Sequence, residues 1–211
     1  MSSENSLRER IALHGRSLFE RGYGCGSSGN ISVRLEDGIL VTPTNSSLGR
    51  LDPARISKLD REGRLISGDV PSKEAFLHLA MYQERSEEKA VVHLHSTHSV
   101  AVSCLAEIDP EDVLPPITAY YVMRVGKLPL LPYYRPGDMA LAEAVRMAAR
   151  EHKAMLLANH GPVVAGRDLE AAVYAAEELE ETAKLFLLLR GERTRFLSEA
   201  QIADLKAHFP S

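Results

Sequence analysis

Ala90-Val91-Val92-His93-Leu94-His95 reads as a short interior strand, an apolar and β-branched run that ends in two histidines at i and i+2. Alternate side chains of a strand share a face, so His93 and His95 point one way and Val92 and Leu94 the other. Taken alone, the pair fits two half-buried strand histidines as well as two adjacent metal ligands. Glu74 upstream and Asn159-His160-Gly161 downstream change that balance. Together they complete three imidazoles and one carboxylate, a full ligand set for a tetrahedral or five-coordinate transition metal.

The flanking segments alternate between helical and strand patterns. Ser6 to Arg21 carries Leu7, Ile11, Leu18 and Phe19 among charged residues, which predicts an amphipathic helix ended by Gly22. Gly22 to Gly29 holds four glycines in eight residues and opens into a strand, Asn30 to Leu35. Asp37-Gly38 signals a tight hairpin returning through Ile39 to Thr42, and Asp60 to Gly63 is a second turn between short strands. A helix is expected from Ser72 or its neighbour to Glu84, another from Ser99 to Ala106, and then a Pro-rich loop holding Tyr120 and Tyr121. Leu128 to Tyr133 reads as an irregular strand, and Asp138 sits at the cap of a helix from Met139 to Glu151. Ala154 to Ala158 and Val163 to Ala165 flank the Asn159-His160-Gly161 turn. Asp168 caps the longest helix, which runs to Arg190 before Gly191, and Ser198 with Gln201 makes a capping box for a last short one. No repeat or linker interrupts the chain. Residues 1–211 are therefore expected to form one α/β domain, its sheet largely antiparallel or mixed and its helices on the sheet faces.

Composition narrows the function classes. At 211 residues the chain can bury a full core, and its net charge of −4 argues against nucleic acid as the main partner. No apolar run reaches membrane-spanning length, and the polar start Met1-Ser2-Ser3-Glu4-Asn5 lacks the pattern of a secretory signal. Two cysteines, Cys25 and Cys104, in a chain this long read as cytoplasmic free thiols rather than a bridge.

Further candidates lie in loops and at helix starts. Glu74 falls in the first turn of an expected helix, where the dipole favours a carboxylate, so a plain capping-turn role is also open to it. Gly26-Ser27-Ser28-Gly29-Asn30 offers backbone N–H groups, hydroxyls and an amide suited to a phosphate or other anion, without the Lys-Ser/Thr ending of a nucleotide loop. Thr42-Pro43-Thr44-Asn45-Ser46-Ser47 is a second hydroxyl-rich turn. Either loop read alone is an ordinary solvated connection.

In combination, Gly29-Asn30-Ile31-Ser32, Thr42-Pro43-Thr44, Pro71-Ser72-Lys73-Glu74, His93-Leu94-His95 and Asn159-His160-Gly161 follow the order and approximate spacing of the class II aldolase/adducin family. The chain resembles that family from its first helix to about Gly191. The resemblance implies a three-layer α/β/α sandwich around a mainly antiparallel central sheet, in a cytoplasmic homotetramer with active sites at subunit interfaces. It also implies bound Zn²⁺, or another divalent transition metal such as Mn²⁺ or Co²⁺. By position, His93, His95 and His160 look like the metal ligands. Glu74 resembles the catalytic acid/base, which also approaches the metal. Asn30, Thr44 and Ser72, with the Ser27-Ser28 backbone, resemble the phosphate cradle.

Departures from the typical member, L-fuculose-1-phosphate aldolase, point to a subfamily. Lys73 stands where the aldolase has a second Ser, and adds a cation that suits a second anionic group such as a carboxylate. Asn45 replaces a Gly at the cradle, and no Tyr follows Tyr174 to play the aldolase's C-terminal tyrosine. Pro-Ser-Lys-Glu, His-Leu-His-Ser-Thr-His, the stretch from Ile117 to Gly126 and Pro132-Tyr133-Tyr134-Arg135-Pro136-Gly137-Asp138 look like the 3-oxo-tetronate 4-phosphate decarboxylases. That resemblance implies a metal-dependent carbon–carbon lyase of acid-sugar catabolism. It would turn a phosphorylated sugar acid into dihydroxyacetone phosphate and CO₂ through a metal-stabilised enediolate. Tyr120 corresponds to the aldolase's active-site tyrosine and is the expected proton donor, with Tyr121 a close rival; Arg124 and Lys127 read as a solvated basic loop. The alternatives are a sugar-phosphate aldolase, a ribulose-phosphate 4-epimerase and, least favoured by the intact ligand set, a non-catalytic adducin-like interaction module.

Overall fold

The computed structural model describes residues 4–135 and 137–209. The first three residues of the polar start, Pro136 of the Pro132–Asp138 motif, and Pro210 and Ser211 of the tail lie outside these. The chain opens with helix α1, Glu4–Glu20, and then folds strands β1 Asn30–Arg34, β2 Gly38–Val41, β3 Ser57–Asp60 and β4 Leu65–Ser67. Helix α2, Ala75–Glu84, leads to strand β5, Ala90–His93, and helices α3, Thr97–Ser103, and α4, Ala119–Arg124. Strand β6, Leu130–Leu131, helix α5, Met139–Ala149, strands β7, Ala154–Leu157, and β8, Gly161–Gly166, and helices α6, Leu169–Leu188, and α7, Glu199–His208, complete it.

The strands form one sheet in the order β4-β3-β2-β1-β5-β8-β7-β6. Every neighbouring pair is antiparallel except β6 with β7. Helix α5 is the crossover that this parallel pair needs.

Alternation along β5 divides the core. Ala90, Val92 and Leu94 pack with Ile11 and Leu18 of α1 and with Leu169, Ala172, Val173, Ala176 and Leu179 of α6. Val91 faces the opposite side, where Leu77, Ala80 and Met81 of α2 meet Leu141 and Val145 of α5. Helices thus cover both faces, as the three-layer expectation requires. The pattern also assigns His93, in phase with Val91, to the α2 face. Among the described residues no helix is long and apolar enough to cross a membrane. Cys25 and Cys104 are free thiols.

Among the boundaries that differ from expectation, four bear on the functional residues. Helix α2 begins at Ala75 and Glu74 is its N-cap residue, because the Ser72 hydroxyl accepts from the Glu74 N–H at 3.2 Å and holds a turn before the helix. Strand β5 stops at His93, where the next N–H, that of Leu94, turns to the Pro162 carbonyl at 3.3 Å. Helix α3 starts at Thr97, earlier than its apolar pattern suggests. The expected Tyr120–Tyr121 loop is helix α4, capped by the Thr118 hydroxyl, which accepts from the Tyr121 N–H at 3.1 Å.

The turn that carries His160 tolerates no side chain at its end. A Cβ on Gly161 would lie 2.2 Å from the Leu94 carbonyl oxygen, inside the backbone of the His93–His95 segment. Gly191 also has a positive φ, of +88°, but open space around it. Gly161→Ala is therefore expected to add an overpacking cost of about 1–3 kcal/mol to the about 1–2 kcal/mol of the left-handed backbone alone. Urea unfolding of Gly161→Ala and Gly191→Ala checks this; equal losses would show that the clash does not matter.

Candidate metal centre

Three remote segments meet at one end of the central strands. Asn30 is the register partner of His93 across β1–β5, and Val163 is its partner across β5–β8. His95 follows two residues later, and the tight turn through Asn159, with φ of 55°, delivers His160 from the β7–β8 hairpin. Glu74 comes from the N-cap of α2 on the same face. Its side chain makes no capping hydrogen bond and turns to the histidines instead.

The ligand atoms of Glu74, His93, His95 and His160 all lie within 4.8 Å of one another. Nε2 of His93 and Nε2 of His160 each stand 3.1 Å from Nε2 of His95. The Glu74 carboxylate oxygens lie 3.4 Å from His93 Nε2 and 3.2 Å from His160 Nε2. Tetrahedral ligands about 2.0–2.1 Å from a metal are separated by about 3.3 Å, so the set has the right spread.

The tautomer of His93 agrees. Its Nδ1 lies 2.8 Å from the Pro162 carbonyl, which only accepts, so Nδ1 carries a proton and Nε2 is the ring nitrogen left for the cluster. Three ring nitrogens and a carboxylate gathered this closely call for a shared cation. Burial disfavours charge on Glu74, but the His160 and His93 contacts outweigh it and hold the carboxyl well below its usual range. Burial, helped by the two neighbouring imidazoles, pushes His95 down to about 4, so its ring is neutral and fit to be a ligand.

The expected anion loops lie against this cluster in part. The Thr44 N–H donates to the Val70 carbonyl at 2.9 Å, the Ser72 N–H donates to the Thr42 carbonyl at 3.1 Å, and Pro43 bridges Pro71. These contacts bring Thr44 and the exposed Asn45 beside Ser72, the exposed Lys73 and Glu74. Ser27 is exposed, and the Ser28 hydroxyl donates to the Cys25 carbonyl at 2.7 Å. Asn30 is 3% exposed; its Nδ2 donates to Glu74 Oε2 at 2.9 Å and its Oδ1 meets His78 Nε2, so its amide joins the cluster to the buried residues behind it.

The two tyrosines separate clearly. Tyr121 is buried in the core, where burial pushes its phenol up. Tyr120 is 59% exposed, with the Arg124 guanidinium over its ring at 5.5 Å. Arg124 lines a cavity with Lys153, Gly166 and Arg167, at the end of β5, β7 and β8 away from the histidines. Within one chain Tyr120 therefore has no described contact with the cluster.

Two supports went unread in the sequence. Glu180 of α6 is 6% exposed and accepts from the His98 and Ser99 N–H groups, both at 2.8 Å. It also accepts from the Ser99 hydroxyl at 2.7 Å, so one carboxylate pins the start of the helix that follows His95. The other support is His78, fully buried behind Glu74. Glu74, His78 and Tyr82 are spaced i, i+4 and i+8 along α2, and Asn30 and Ser32 are spaced i and i+2 on β1. These are the periods of one helix face and one strand face, the only trace of this polar seam in the sequence.

Burial lowers the His78 pKa from 6.5 to about 3. Between these values the unfolded chain binds a proton that the folded chain excludes, so this contribution is present above pH 6.5 and is lost as pH falls. In metal-free protein the stability gap between wild type and His78→Gln should shrink by up to about 1.4 kcal/mol per pH unit below that point. Urea titrations at a series of pH values test it, and a constant gap would refute it.

Residues 9–187 match the family described as Class II Aldolase and Adducin N-terminal domain. The 3-oxo-tetronate 4-phosphate decarboxylase of Haemophilus influenzae is 55% identical, covering 94% of this chain and 95% of that one. The crystal structure of YgbL from Escherichia coli superposes with a TM-score of 0.95 at 50% identity, covering 97% of this chain and 100% of that one. The L-fuculose phosphate aldolase of Escherichia coli K12 is more distant, 36% identical over 97% of this chain and 94% of that one. The chain belongs to the class II aldolase and adducin family.

Proposed function

We propose that the protein is a zinc-dependent decarboxylase of a 3-oxo-tetronate 4-phosphate, releasing CO₂ and dihydroxyacetone phosphate. The observation that carries this reading is the convergence of Glu74, His93, His95 and His160 in a chain this similar to relatives of that name. The proposal extends to a cytoplasmic homotetramer of single-domain chains. Mn²⁺ or Co²⁺ would suit the same nitrogen and oxygen donors.

The substrate is a β-keto acid. When its C1–C2 bond breaks, CO₂ leaves and the electron pair stays on C2, conjugated to the C3 ketone; a proton then closes C2. His93, His95 and His160 would hold a divalent metal, which when bound would supply a Lewis acid for the charge that develops on the ketone and adjacent hydroxyl oxygens. Glu74 moves protons at those oxygens, half-buried where water competes little. Asn30, Thr44, Asn45, Ser72 and the Ser27-Ser28 segment bind the phosphate, and Lys73 holds the carboxylate until it departs. Tyr120, exposed and remote from its own chain's histidines, delivers the C2 proton from a neighbouring copy.

The direct test incubates zinc-loaded protein with both enantiomers of the substrate and quantifies the two products. Equal release of CO₂ and dihydroxyacetone phosphate is expected, falling by at least about 100-fold on chelation or in His95→Ala. No release from either enantiomer would refute the reading, and cleavage of fuculose 1-phosphate in its place would favour an aldolase. The placement of Tyr120 has its own test, the mixing of His95→Ala with Tyr120→Phe chains after dissociation. A site shared between chains predicts recovery of on the order of a quarter of wild-type activity, the share of sites with both residues intact. No recovery would place the proton donor elsewhere.

A further inference from the structure

Behind Glu74 runs an unbroken line of buried polar groups. Asn30 Nδ2 donates to Glu74 Oε2 at 2.9 Å, and Asn30 Oδ1 meets His78 Nε2. His78 Nδ1 lies 2.7 Å from the Ser32 hydroxyl, which lies 2.8 Å from the Tyr82 hydroxyl. Ser32 and His78 are wholly buried, Asn30 is 3% exposed and Tyr82 is 7% exposed.

The direction of donation follows from the Glu74 end. A carboxylate accepts, so the Asn30 NH₂ group faces it and the Asn30 carbonyl faces His78. That carbonyl also only accepts, so His78 Nε2 carries a proton. Burial keeps the ring neutral, leaving Nδ1 bare to accept from Ser32. The single Ser32 proton is thereby used, and the Tyr82 hydroxyl, which burial keeps protonated, donates to Ser32 in turn. Every bond points toward Glu74.

The opposite arrangement is unfavourable. If His78 took the Nδ1–H form, Asn30 would have to turn over and set its carbonyl oxygen against the Glu74 carboxylate. Two acceptors facing each other in a buried setting cost both a hydrogen bond and a desolvated lone pair.

We propose that Ser32 and His78, with Tyr82 donating only to the outer end, form a one-way donor relay that locks the Asn30 amide onto Glu74, which makes His78 a positioning residue for the acid/base. The inference rests on the reading of Glu74 given above, but not on which substrate the site takes. The Asn30 amide aims one side of the Glu74 carboxylate, and His93 and His160 stand on the other.

The test joins a spectroscopic signature to kinetics. Nitrogen-15 NMR of the zinc-loaded holoenzyme should show the His78 ring as a neutral Nε2–H tautomer. Ser32→Ala should give a mixture of tautomers and lower kcat about 10-fold or more, with KM changed by less than about twofold and full zinc occupancy. Tyr82→Phe leaves Ser32 free to donate, so it should keep both the tautomer and kcat. His78→Leu should be slower than His78→Gln, whose amide N–H can still reach Asn30. An Nδ1–H or doubly protonated ring in the wild type overturns the relay, as does equal kcat in Ser32→Ala and Tyr82→Phe. The tautomer is read without turnover, so a wild type that shows the Nε2–H ring yet releases no CO₂ counts against the decarboxylase reading and for the relay.

Discussion

Antiparallel pairing of β5 between β1 and β8 brings three remote parts of the chain to one sheet end. The register sets Asn30 and Val163 on either side of His93. It also puts the Pro162 carbonyl where it takes the His93 Nδ1 proton. A slip of one residue would send His93 to the α6 side and bury a valine among the ligands. The apolar residues of the same strands oppose such a slip, since Ala90, Val92 and Leu94 are committed to one core layer and Val91 to the other.

The cluster carries an electrostatic cost that the surrounding structure offsets. Imidazole nitrogens and a carboxylate crowded into a largely buried site are costly without a shared cation, and His93 and Glu74 are also tied from behind. His93 is tied by a carbonyl, Glu74 by the Asn30 amide, and the segment after His95 by Glu180 at the start of α3. Charge-assisted hydrogen bonds of the kind Glu180 makes contribute about 1.5–3 kcal/mol each, enough to fix a short helix that its own length would not hold. Order at the site therefore comes from long-range partners rather than from the local preferences of the loops that carry the ligands.

Much of this was legible in the sequence, for identifiable reasons. Period-two alternation through Val91, Val92, His93, Leu94 and His95 gave the strand and the shared face of the histidines. Turn residues at Asp37-Gly38 and Asn159-His160-Gly161 gave the hairpins. Helix α4 was not legible, because six residues after a double proline carry too short a pattern and its cap, Thr118, reads as one more loop hydroxyl. Glu74 looked like a first-turn residue because nothing local reveals that the Ser72 hydroxyl delays the helix. The seam of Asn30, Ser32, His78 and Tyr82 left its spacings in the sequence, but they gain meaning only once α2 is known to pack over β1. The separation of Tyr120 from the histidines is a tertiary fact that no local signal carries.

The central claim is that three imidazoles and one carboxylate from these segments hold a single divalent metal. X-ray absorption at the zinc edge of the purified, zinc-loaded protein tests it most directly. Nitrogen and oxygen neighbours at about 2.0–2.2 Å are expected around the zinc, with the outer-ring scattering of three histidines and with one imidazole lost in His160→Ala. Sulfur at about 2.3 Å, or a wild-type histidine count that His160→Ala leaves unchanged, would contradict it.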